Sequence, residues 1–211
     1  MEKKNIEKLL ERGYDFDIRA AFEKAFEMFS QNAINCVAYS MLILSVQLLV
    51  ATYVPELTLV YSIFLFPALV GGFFLVANKI SQGDAIVYPD FFKGFQYYIV
   101  LILINLVGQV LVALGIMALI VPGVYLMVGY MFSFLFAIFA GTDFWQSLEL
   151  SRKVVHKRWG KFFILFLLLL VLNILAALPA LLGLLVSLPV SAFVIYNVFE
   201  TVTEGAYEEE E

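Results

Sequence analysis

The sequence predicts an all-α, polytopic integral membrane protein: six transmembrane helices arranged as three hairpins, with amphipathic helices at the cytoplasmic interface. Three observations lead there. Of the 211 residues, 63% are apolar and 15% charged, against about 45–50% and about 25% in soluble domains. Surface-to-volume scaling leaves no soluble core of this length able to bury so much apolar surface. Six stretches, roughly 33–54, 57–79, 97–120, 122–141, 162–178 and 181–200, have no charge at their middle. Each approaches or reaches the about 20 apolar residues that cross a hydrocarbon core of about 30 Å. Finally, all 13 Lys and Arg fall in the N-terminal segment or in the two longer loops.

The segment 1–32 is expected to form a cytoplasmic amphipathic helix. Ile18, Phe22, Ala25, Phe26 and Phe29 recur at helical spacing on one face, while Arg19, Glu23, Lys24 and Glu27 take the other. Asp15 or Asp17 suits its N-cap, and Arg19 with Glu23 forms an i,i+4 pair. The bundle proper then occupies 33–200. Three short turns each contain one proline, Pro55, Pro122 and Pro179. Lacking an N–H, proline fits the first turn of a helix, so each ends one span and opens the next. Pro67 and Pro189 interrupt the second and sixth spans. An acidic tail, 201–211, ends in Glu208 to Glu211 and reads as solvating; a sharper reading has it folding back on the basic cluster described below.

Spans one, three and five begin near 33, 98 and 162, a spacing of about 65 residues, so one unit is used three times. Each span follows a stretch that reads as amphipathic: "DFDIRAAFEKAFEMFSQN", "YPDFFKGFQYY" and "TDFWQSLELSRKVVHKRWGKFF". In the third, Phe144, Trp145, Leu148, Val155, Trp159 and Phe162 form the apolar face and Thr142 the expected cap. Such helices lie in the interface or pack beneath the bundle.

Charge sets the direction. Six spans put the three basic segments on one side, and the excess of Lys and Arg makes it cytoplasmic, with both termini inside. Glu56 is then the one charge expected outside. Tyr53, Tyr61 and Tyr125 are expected near outer ends of spans, and Tyr97, Tyr98 and Tyr196 near inner ends.

For function the sequence offers surfaces rather than chemistry. Arg152, Lys153, Lys157, Arg158 and Lys161, with Trp159 among them, precede the fifth span within ten residues. Anionic head groups attract such a cluster by about 1 kcal/mol per basic side chain. This basic face is the candidate for binding lipid or a partner membrane protein; His156 reads as a solvated member of it. Asn35, Gln47, Asn105, Gln109 and Asn173 lie within spans, where each amide needs a partner. They read first as fasteners between helices. The alternative is a small permease with a polar pathway lined by Asn105, Gln109 and Asn173. No catalytic motif, metal-ligand set, cofactor signature or nucleic-acid-binding pattern is present. Cys36 is alone and reads as an apolar filler.

The stretch "VPGVYLMVGYMFSFLFAIFAGTDFWQSLELSRKVVHKRWGKFF" and the leading "FDIRAAFEKAFEMFSQN" resemble a bacterial group of uncharacterised polytopic proteins. That group is similar to the membrane domain of some glycerophosphoryl diester phosphodiesterases and to YciC-type inner-membrane proteins. The features are the turn at Pro122 and Gly123, the apolar span, then Ser151, Arg152 and Lys153 ahead of Trp159 and Phe162. The resemblance implies a six-helix inner-membrane module without activity of its own. The phosphodiesterase catalytic domain is absent from these residues, so its chemistry does not carry over.

Overall fold

A computed structural model describes residues 13–204. The expected acidic tail at Glu208 to Glu211, and the N-terminal Lys3, Lys4, Lys8 and Arg12, lie outside them. Every regular element among the described residues is helical. In chain order these are α1 (Ile18–Gln31), α2 (Ala33–Tyr53), α3 (Pro55–Ser81), a 3-10 helix (Tyr88–Tyr97), α4 (Tyr98–Ala118), α5 (Ile120–Gly129), α6 (Ser133–Phe139), α7 (Phe144–Lys157), α8 (Trp159–Ala177) and α9 (Leu184–Glu204). Six stretches are long and apolar enough to cross a membrane: α2, α3, 88–118, 120–139, α8 and α9. Their outward faces leave large apolar side chains bare, among them Ile34, Met117, Val121 and Leu178. A bilayer is the solvent that covers such a surface.

The entry segments and the spans interlock in a cycle. The 3-10 helix packs on α3, α7 packs on α6, and α1 packs on α9. The 3-10 helix and α7 thus each rest on the apolar helix that precedes them in the chain, while α1 rests on α9.

The α3 joint is the tightest. A Cβ on Gly72 would stand 1.9 Å from the carbonyl oxygen of Phe91, and one on Gly94 would stand 2.1 Å from that of Ala68. Backbone meets backbone there, which is where glycine is required. The Tyr39 hydroxyl lies 3.0 Å from the Leu69 carbonyl and 3.2 Å from that of Phe91, tying α2 to the same joint. Asp90, 4% exposed, accepts the Val87 amide at 2.9 Å and pairs with Lys79 and Lys93, both at 2.8 Å. So "YPDFFKGFQY" forms a ten-residue 3-10 helix, long for its kind, seated on α3.

Several sequence expectations change. In α1, Asp17 is the cap, accepting the amides of Arg19 and Ala20. The buried residues are Ala21, Ala25, Met28 and Phe29, whereas Phe26 is 59% exposed: the buried face is rotated toward Ala21 and Met28 because that side meets α9. The α7 cap is Asp143, which accepts the Gln146 amide; the Thr142 hydroxyl bonds Ser147 instead. The fourth stretch, expected as one helix over 122–141, is broken at Tyr130–Phe132 into α5 and α6. Before Pro67, α3 makes a π-helical turn over Tyr61–Leu65, a common way to absorb a proline.

Candidate functional site: a strapped basic elbow above an apolar groove

The basic cluster sits where α7 ends and α8 begins. Arg158 leaves the helical region with φ −130°, and its amide bonds the carbonyls of Val155 and His156. That makes an elbow with cations on both arms. Along α7 the buried residues are Ser147, Leu148, Ser151, Val154 and Val155, one helical seam facing α5 and α6. Ser151 sits at the break between those helices. Its hydroxyl donates to the Gly129 carbonyl at 2.7 Å and accepts the Phe132 amide at 3.0 Å, satisfying backbone groups that the interrupted helix leaves open. Trp145, expected on the apolar face, is 56% exposed.

Acidic and backbone partners engage most of the cations. Arg152 binds Glu149 through two nitrogens, at 2.9 and 2.8 Å, and Lys153 approaches the same carboxylate at 3.4 Å. The Arg152 hydrogen bonds hold the Glu149 carboxyl below its ordinary value, and Glu149 in turn raises the guanidinium. Lys161 pairs with Asp15 at 2.6 Å and stands 4.9 Å from the Phe16 ring centroid. Arg158 donates to the Tyr14 carbonyl at 3.1 Å, and the Tyr14 hydroxyl donates to the Val154 carbonyl. Phe16 packs on Phe162 with centroids 4.8 Å apart. Residues 13–17 therefore strap the elbow. Lys157 makes no ion pair with a described residue, so it and Arg158 carry the free positive charge.

Trp159 stacks between Tyr125 and Phe163, at 6.2 and 5.0 Å, and its indole N–H is buried without a partner. The Tyr125 hydroxyl lies 3.0 Å from His156 Nδ1. The side chains of His156 and Tyr125, expected on opposite sides of the membrane, are thus in contact, because α7 runs back along α6 and α5. The histidine is partnered rather than merely solvated.

Beneath Lys161 a groove of about 1110 Å³ runs between the strap, α1 and α8. Its mouth is Asp15, Asp17, Arg19 and Lys161; its wall is Leu168, Val171, Leu172 and Leu175.

The intramembrane amides separate into groups. Asn173 donates to Ser191 at 2.8 Å and accepts from Ser187 at 2.8 Å, fastening α8 to α9. Asn105 donates to the Ser62 carbonyl at 3.0 Å, and Gln109 donates to Asn105 at 2.9 Å. This second pair faces a cavity of about 590 Å³ between α3, α4, α5 and α6. Asn173 does not line that cavity, so the three residues of the permease reading do not share one space. Asn35 and Gln47 are half-buried, without a side-chain partner among the described residues. Two polar clusters escaped sequence reasoning: Asp90 with Lys79 and Lys93, and Glu200 with Lys24, Ser81 and Tyr196. The scattered acids flanking span ends were their one sequence signal. Cys36 is buried among apolar side chains. No described group of three or more His, Cys, Asp or Glu is placed to hold a metal.

No protein-family model, curated protein or solved structure matches the chain.

Proposed function

We propose that the chain is a non-enzymatic membrane module that organises lipid, or a partner membrane protein, through the surface built from the elbow, the strap and the start of α8. It would sit in a bacterial-type inner membrane as three hairpins with both termini cytoplasmic, its amphipathic entry segments at the inner interface. Kinship with the polytopic group named above belongs to the same proposal.

The observation that carries this reading is the adjacency of a charged surface and an open apolar wall within one groove. Arg19 and Lys161 stand at its mouth with Asp15 and Asp17, and leucines of α8 continue from it, while Arg158 joins the elbow to the strap beside it. Small-molecule sites bury most of their ligand in an enclosed pocket; a lipid is held from one side. Support for the orientation comes from the collection of all Lys and Arg in three segments. Support for the hairpins comes from the glycine contact of α4 with α5 at Gly115 and Gly123, and from Asn173 between α8 and α9.

The test is lipid composition around the protein. Extracted in native nanodiscs, the wild type is expected to enrich anionic phospholipid over the parent membrane. Lys157→Gln with Arg158→Gln should remove much of that enrichment, since each cation contributes about 1 kcal/mol, about fivefold in local concentration. Unchanged anionic content in the double variant would overturn the basic-surface reading.

A further inference from the structure

Resting on the reading that this surface meets lipid, we propose that the groove seats one glycerophospholipid with an ethanolamine head group. Its phosphate would lie at Lys161 and Arg19, its ammonium at Asp15 and Asp17, and its chains along Leu168, Val171, Leu172 and Leu175.

The mouth has charges of both signs. Asp15 and Asp17 both line the groove, and Phe16 between them is turned onto Phe162, 4% exposed. Both carboxylates keep unused acceptor sites. Asp17 caps α1 through Oδ1, leaving Oδ2, and Asp15 meets Lys161 through Oδ1. The cations keep unused donors as well. Arg19 reaches Glu23 through Nε, leaving both terminal nitrogens, and an ammonium has three hydrogens of which Asp15 takes one. An anionic head group would complement half of this mouth and oppose the other half; a phosphate carrying a primary ammonium complements both.

Below the mouth the wall residues at 168, 171, 172 and 175 fall on one helical face. From Lys161 to Leu175 α8 rises about 21 Å at about 1.5 Å per residue, beyond half of a hydrocarbon core of about 30 Å. That is the reach of chains from one leaflet. The groove's about 1110 Å³ exceeds the about 300–1,000 Å³ of small-molecule pockets.

The experiment reconstitutes the full chain in vesicles of phosphatidylethanolamine, phosphatidylcholine and phosphatidylglycerol in equal parts with matched chains. Lipid retained after a detergent wash is then counted by native mass spectrometry. Phosphatidylethanolamine should be retained at least fivefold over either competitor. The choline form keeps the charge but has no N–H to give the carboxylates. Leu172→Trp fills the wall and should abolish retention of all three, with a monodisperse elution profile showing that the variant folds. Asp15→Asn should move the preference toward phosphatidylglycerol. Equal retention of the ethanolamine and choline lipids, or undiminished retention in Leu172→Trp, would overturn the proposal. Preference of the wild type for phosphatidylglycerol would also overturn it, while leaving the basic-surface reading intact.

Discussion

Ser151 reaches from α7 to the Gly129 carbonyl at 2.7 Å, so the side chain of one helix completes the interrupted backbone of another. Removing that hydroxyl leaves the Gly129 carbonyl and the Phe132 amide without their partner in a buried seam. Ser151→Ala is expected to cost about 1–3 kcal/mol, read as a lower thermal midpoint in detergent. An unchanged midpoint would mean that water takes over both bonds.

The α3 joint has no room for a methyl group. Gly72→Ala and Gly94→Ala each drive a Cβ into a carbonyl oxygen, and backbone does not yield as a flexible side chain does. Both variants should lose most of their monodisperse material on size exclusion. Gly160→Ala, with nothing within 4 Å of the new Cβ, should elute as the wild type.

The strap should loosen in acid. Asp15 is held below its ordinary value by the Lys161 hydrogen bond, then by the Phe16 amide, and Glu149 by Arg152. Folded values below the unfolded ones of about 3.9 and about 4.3 mean that these contacts contribute fully above that range and are lost as pH falls through the folded values. Amide exchange of residues 13–17, corrected for intrinsic rate, should therefore rise below about pH 4 while the spans stay protected. Lys161→Met should show raised exchange already at neutral pH. Protection of 13–17 independent of pH would assign the strap's attachment to Phe16 and Tyr14 alone.

Asn173 is a fastener, so Asn173→Leu should cost about 0.6 kcal/mol and at most about 1.7 kcal/mol, the range for hydrogen bonds between membrane helices. The check is a denaturation midpoint in mixed micelles. A gain in stability would show that the two serines satisfy each other.

Orientation is open to thiol chemistry on a Cys36→Ala background. Glu56→Cys should react with an impermeant maleimide added outside intact cells. Tyr125→Cys and His156→Cys should behave alike, both reacting under the same condition, because their side chains are in contact. Outside reactivity at 125 with none at 156 would contradict the 3.0 Å contact between those side chains.

Much of this was legible along the chain. The spans follow from runs of apolar residues, the Asp17 cap from residue type, and the role of Asn173 from the cost of an unpartnered amide. The α1 face was misjudged because periodicity leaves a stripe free to rotate until a neighbour fixes it, and Phe26 lies at its edge. The α7 seam was hidden because serine reads as polar, though a hydroxyl that spends itself on backbone buries as readily as alanine. The neutralised elbow was invisible for another reason: Lys161 meets an acid 146 residues away, and local pattern contains no record of such distance. The groove depends on the same contact.

The rest of α1 on α9 sets an order of events during biosynthesis. The ribosome makes the first entry helix long before it makes the surface on which that helix will lie. Until Leu184–Glu204 has been inserted, the apolar side of Ile18–Gln31 must wait against the bilayer or a helper protein, and chains halted before that point leave it unseated. Completion of Leu184–Glu204 is the event that latches Ile18–Gln31 into its seat.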